Sequence, residues 1–163
     1  MLSREFSEQR FYDSSPHLSV LTKFMAESET EALQTALENE FNNDEQWELE
    51  FSDFSLSHEQ KYIFLNVTKE SRKTLFDVHT RAMNATIGIG SEGMHGATIP
   101  KYEYDPHLSI MKLNPEDAVR AINQIKKDFA GLKMHVTRFE LTRQKDDEKG
   151  YATFPVIAEV QLR

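Results

Sequence analysis

Cysteine is absent from the 163-residue chain. That excludes disulfide scaffolds, thiolate catalysis and Cys-based zinc sites. No apolar run approaches the length needed to cross a bilayer, and the first fifteen residues carry Arg4, Glu5, Glu8, Arg10 and Asp13 instead of a signal-peptide core. A soluble, cytoplasmic or otherwise intracellular protein, with no membrane partner and no signal peptide, is the expectation. An excess of positive charge is also missing, since 19 Lys plus Arg stand against 27 Asp plus Glu, a net charge of −8. Proteins that grip long duplexes by neutralising phosphates show the opposite balance, so a small nucleotide or a strand end suits this chain better. The motifs H-E-x-x-H, G-x-S-x-G and the P-loop are absent as well.

The chain contains hydrophobic patterning for a globular protein, with 39% apolar and 28% charged residues, and its length suits one domain or two small lobes sharing a core. Leu18, Val20 and Phe24 alternate as in a half-buried strand after Pro16. Ser28 with Glu31 has the form of a capping box, followed by Leu33, Leu37 and Phe41 at helical spacing and a stop at Asn42 to Asp44. Trp47, Leu49 and Phe51 alternate as a strand, and Tyr62 to Val67 reads as a central strand. A second helix is expected from about Ser71 to Ala85, facing inward with Leu75, Val78 and Ala82. Ile87 to Tyr104, with four glycines and one proline, reads as a long loop. Asn114 as N-cap and Pro115 as first helical residue open a third helix with Val119, Ile122, Ile125 and Phe129 on its apolar face, and Gly131 ends it. Leu132 to Thr142 and Tyr151 to Leu162 read as an antiparallel pair joined by the turn 144–150.

Pro-His-Leu-Ser occurs twice, 90 positions apart, each time followed by Val or Ile and then by strand, helix and two strands. That period is too long for a solenoid and suggests a duplicated lobe. On a strand, residues i and i+2 share a face. His17 and Ser19 would then project together while Leu18 and Val20 anchor the other side, and His107 and Ser109 would do the same against Leu108 and Ile110. Imidazole, whose unperturbed pKa lies near neutrality, can either give or take a proton, so a pair of them suits the two transfers of phosphodiester cleavage. Two hydroxyls can hold its non-bridging oxygens. The chemistry requires neither metal nor cofactor.

These motifs, His17-Leu18-Ser19-Val20 and His107-Leu108-Ser109-Ile110, resemble the paired His-x-(Ser/Thr)-x signature of the 2H phosphoesterase superfamily, which includes the RNA 2',3'-cyclic phosphodiesterases also called 2'-5' RNA ligases. The resemblance covers about residues 16 to 162. It implies one bilobed α+β domain over 1–163, with two antiparallel sheets facing a central groove and helices outside. It also implies His17 and His107 as catalytic acid and base, and Ser19 and Ser109 as phosphate contacts. The expected substrate is a nucleotide or oligonucleotide phosphodiester: a 2',3'-cyclic phosphate, a 2'-5' or 3'-5' linkage at an RNA end, or a cyclic oligonucleotide signal. The protein is expected to act as a monomer. The alternative is a module of the same fold that binds RNA ends or cyclic nucleotides without turning them over.

Other residues invite weaker readings. Lys101, Tyr102 and Tyr104 precede His107, so a phosphate could meet the lysine and a base could stack on a tyrosine. Lys23 shares strand parity with His17. Gly88 to Gly93 spells G-x-G-x-x-G, but after a helix and not a strand, so a loop beside the cleft fits better than a dinucleotide site. His58, His79, His95 and His135 share no metal-ligand spacing with carboxylates. Asp146-Asp147-Glu148 is a solvated turn.

Overall fold

A computed structural model describes residues 17–92, 104–146 and 152–163. In chain order its elements are β1 (Lys23–Phe24), α1 (Thr30–Phe41), β2 (Trp47–Leu56), β3 (Tyr62–Val67), α2 (Lys69–Ala85), β4 (Ser91–Glu92), β5 (His107–Lys112), α3 (Pro115–Asp128), β6 (Leu132–Val136), β7 (Arg138–Thr142), β8 (Lys145–Asp146), β9 (Ala152–Thr153) and β10 (Val156–Gln161). The architecture is α+β and antiparallel, as expected. The strand–helix–strand–strand order recurs in β1-α1-β2-β3 and β5-α3-β6-β7.

The larger sheet runs β5-β3-β2-β6. β3 is central to it because Ile63, Leu65 and Val67 alternate inward while Tyr62, Phe64 and Asn66 stay half-buried on the other face. Its inner face joins Leu49, Phe51, Phe54, Leu75, Met111 and the α3 residues Ala118, Ala121 and Ile122 in one core. The second core lies between α1, α2 and the β7–β10 ladder, around Phe41, Val78, Ala82, Leu141 and Val160. Trp47 and Val136 pack against both cores.

Local chemistry accounts for the helix ends. Thr68 accepts the Ser71 N–H and starts α2 two residues ahead of Ser71. Asn114 accepts the Asp117 N–H at 2.9 Å ahead of Pro115. Ser28 is not a cap: a 3-10 turn over Glu27–Glu29 leads into α1. There the Glu29 carboxylate accepts the Ala26 and Gly90 N–H groups at 2.8 and 3.1 Å, which holds its pKa below the usual carboxylate range. On α3, Val119 is exposed, and the inward face is made by Ala118, Ala121 and Ile122 with Ile125 and Phe129. The stretch expected as one strand from Leu132 divides at Thr137. Its first half pairs with β2 and its second with β10, and the apolar alternation shifts by one position between Val136 and Phe139. Arg81 on α2 closes the other helix pair, donating to Glu40 at 2.6 Å and Asp44 at 2.7 Å beside the Phe41 ring. These carboxylates raise its pKa further and keep it charged.

Gly93 lies outside the described residues, but Gly88 and Gly90 both have positive φ. A Cβ at Gly90 would meet the Phe24 carbonyl oxygen at 2.7 Å and Met25 Cβ at 2.8 Å. This glycine therefore lets the loop close on the chain after β1. Gly90→Ala is expected to destabilise the fold by about 1–3 kcal/mol, read as a lower midpoint in urea; an unchanged midpoint would show that the close approach is dispensable. None of the described helices is long and apolar enough to cross a membrane.

Candidate functional site

The second motif lies on β5 as its alternation requires. Asn66 pairs with His107, Leu65 with Leu108 and Phe64 with Ser109. Directly paired residues share a face, so His107 and Ser109 stand with Phe64 and Asn66, away from the core that Leu108 joins. An irregularity in the register follows at Ile110, between the Ser109 and Met111 pairs. The His107 ring packs on Phe64 with centroids 4.0 Å apart. Its Nδ1 lies 2.8 Å from the Asp105 carbonyl oxygen. A carbonyl can only accept, so Nδ1 carries the hydrogen, and in the neutral ring Nε2 holds the free lone pair. The Asp105 carboxylate is in turn paired with Arg72 of α2 at 2.7 Å.

The first motif departs from the expected strand. Residues 17–20 have irregular backbone, and the chain becomes strand only at Lys23. Leu18 still packs on the larger core and Val20 on the smaller, while His17 and Ser19 are exposed. Side chains from distant parts of the chain hold the backbone in place of a ladder. The Tyr104 hydroxyl donates to the Ser19 carbonyl at 3.0 Å, and His79 Nδ1 donates to the Val20 carbonyl at 2.7 Å. The Tyr104 and His79 rings stack, with centroids 4.3 Å apart and planes 5° from parallel. The His17 ring lies 5.5 Å from that of Phe154, ahead of β10.

The first motif is thereby tied to Tyr104, three residues before His107. Tyr104 is buried, with one ring face covered by His79, which does not suit the base-stacking role considered for it. Lys101, Tyr102 and His95 lie outside the described residues. Lys23 does not simply add charge beside His17: its ammonium donates to the Thr86 and Ile89 carbonyls at 2.8 and 3.1 Å, after the end of α2. His58 sits in the exposed turn between β2 and β3, and His135 meets Gln46 on β6. Among the described residues, no three His, Asp or Glu side chains are grouped to hold a metal ion. Sequence reasoning missed Phe64, Phe154, Asp105, Arg72 and the His79–Tyr104 stack. Only the parity of Phe64 with Asn66 on a central strand could have pointed to any of them.

Known structures give a concordant picture of the fold. The chain is similar to E. coli LigT complexed with 3'-AMP, with TM-score 0.64 and 12% identity, covering 98% of this chain and 86% of that one. It is also similar to TT0787 of Thermus thermophilus, with TM-score 0.66 and 16% identity, covering 99% and 86%. A structure described as a phosphoesterase aligns with TM-score 0.59 and 12% identity over 91% and 77%. Curated protein sequences yield no match. The sequence profile of the 2'-5' RNA ligase superfamily matches residues 2–148, most of the chain and both His-x-Ser motifs. With the motifs, the fold and this match in agreement, the chain belongs to the 2'-5' RNA ligase superfamily, the LigT-like 2H phosphoesterases.

Proposed function

We propose that the chain is a metal-independent phosphodiesterase, one bilobed domain over 1–163, that cleaves nucleotide phosphodiesters between His17 and His107. The observation that carries this reading is the Tyr104–Ser19 hydrogen bond, which ties the first motif to a residue three positions before His107 of the second. In the hydrolytic direction, water loses a proton to the neutral imidazole as its oxygen bonds to phosphorus. The P–O ester bond breaks, its electron pair leaves on oxygen, and that oxygen takes a proton from the protonated imidazole. For a 2',3'-cyclic phosphate the product is a phosphomonoester. Ser19 and Ser109 donate to the non-bridging oxygens as negative charge builds there. The locked tautomer of His107 supports Nε2 as its reacting nitrogen. Either histidine serves as base, according to the direction of attack.

The substrate class rests on chemistry and on relatives. LigT has been crystallised with 3'-AMP, with ATP and with NADP+, and a net charge of −8 favours small nucleotides or RNA ends over long duplexes. A panel of 2',3'-cyclic nucleotides, 2'-5' and 3'-5' dinucleotides and cyclic oligonucleotides, incubated in excess EDTA, tests the reading. Turnover of at least one of them should persist in EDTA. Loss of turnover that a divalent cation restores would support a metal-dependent enzyme instead, and tight binding without turnover would support the binding module.

A further inference from the structure

Residues 17–20 lack the sheet ladder that fixes His107 and Ser109, yet a general acid or base must be held within a fraction of an ångström of its working position. Two long-range hydrogen bonds take the ladder's place, from Tyr104 to the Ser19 carbonyl and from His79 to the Val20 carbonyl, spanning 85 and 59 residues. Stacking of the two donor rings makes them one unit. Both ends of this unit lead to the second motif. Tyr104 precedes Asp105, whose carbonyl takes the His107 Nδ1 hydrogen. The Asp105 carboxylate is held by Arg72, seven residues before His79 on the same face of α2 and about 10 Å along its axis.

We propose that His79 and Tyr104 are positioning residues, and that with Arg72 they make α2 the spacer that sets the separation and orientation of the two His-x-Ser motifs. This rests on the reading of His17 and His107 as the proton-transferring pair. The exposed Arg72–Asp105 pair contributes least, since solvent screens it. The partly buried Tyr104 and His79 bonds contribute most, because no ladder holds the carbonyls they bind.

The test compares Tyr104→Phe, His79→Leu, His79→Asn and His17→Ala on a hydrolysed 2',3'-cyclic nucleotide, with the His17 imidazole NMR signals followed in parallel. Tyr104→Phe keeps the ring and removes only the hydroxyl. It should lower kcat about 10- to 100-fold through misplacement of the reacting group and leave KM within about threefold. His79→Leu should behave alike, and His79→Asn, which retains an N–H near the position of Nδ1, should recover much of the loss. The ring current of Phe154 on His17 makes the His17 signals a readout that needs no substrate: they should shift in Tyr104→Phe and stay in place in His58→Ala, a control in the exposed turn. Tyr104→Phe with wild-type kcat and unmoved His17 signals, in a protein that His17→Ala inactivates, would overturn the spacer. Full activity in His17→Ala would instead remove the underlying assignment, and the NMR arm would still report whether the brace positions the first motif.

Discussion

His17→Ala and His107→Ala are each expected to lower phosphodiester turnover by about 10²- to 10⁴-fold, the usual contribution of a positioned acid or base. The reason lies in where the rings stand. His17 is exposed, and the half-buried His107 packs on Phe64 on the face of β5 away from the core, so neither substitution opens a cavity in that core and the fold should survive both. Ser19→Ala and Ser109→Ala each remove one donor to the transferring phosphate and should cost on the order of 10²-fold. Because the two imidazoles act in one step, the double alanine variant should fall little below either single one. Steady-state rates on the best substrate of the panel, with a circular-dichroism melt of each variant, check all of this. Either histidine variant retaining near-wild-type rates would remove that residue from the chemistry.

Phe51→Ala should be among the most damaging changes to the fold, costing about 3–5 kcal/mol from a total that for a domain of this kind is about 5–15 kcal/mol. Phe51 is 2% exposed. It lies where β2 is paired on both sides, opposite Val67 of β3 and Leu132 of β6. The loss reaches function by a short path, since β3 is the strand on which β5 and its His107 are aligned. Urea unfolding gives the figure, and a loss below about 1 kcal/mol would show that the core collapses around the gap.

What the amino-acid sequence made legible followed from local rules. The Asn114-Pro115 cap located the start of α3, and the near-continuous apolar run of Tyr62–Val67 located the central strand. Alternation in His107-Leu108-Ser109 put its imidazole and hydroxyl on the face away from the core. The first motif has the same residue pattern and a different backbone. Its carbonyls are satisfied by Tyr104 and His79, and no periodicity within residues 16–24 reports a partner that far along the chain. The division at Thr137 did leave a mark in the sequence: the alternation of Leu132, Met134 and Val136 resumes one position out of phase at Phe139 and Leu141, where the Leu162 N–H donates to the Thr137 carbonyl and the partner changes from β2 to β10. On α3 the error came from side-chain size: Ala118 and Ala121 allow close packing against the sheet, while the larger Val119 sits off that face.

The distribution of charge fits the same account. Arg81, Lys133, Arg138 and Arg143 are each paired with carboxylates, and these contacts hold Arg81, Lys133 and Arg138 charged. Most of this positive charge therefore tightens helix and sheet contacts. In the proposed mechanism the phosphate is met by hydroxyl and imidazole groups.

The most direct test of the central claim is a crystal structure of the protein with a nucleoside 2'- or 3'-monophosphate bound. The account predicts Nε2 of His17 and Nε2 of His107 on opposite sides of one phosphate, each about 2.6–3.2 Å from one of its oxygens, with the Ser19 and Ser109 hydroxyls on the others. A phosphate that touches only one imidazole, or that binds away from both, would contradict it.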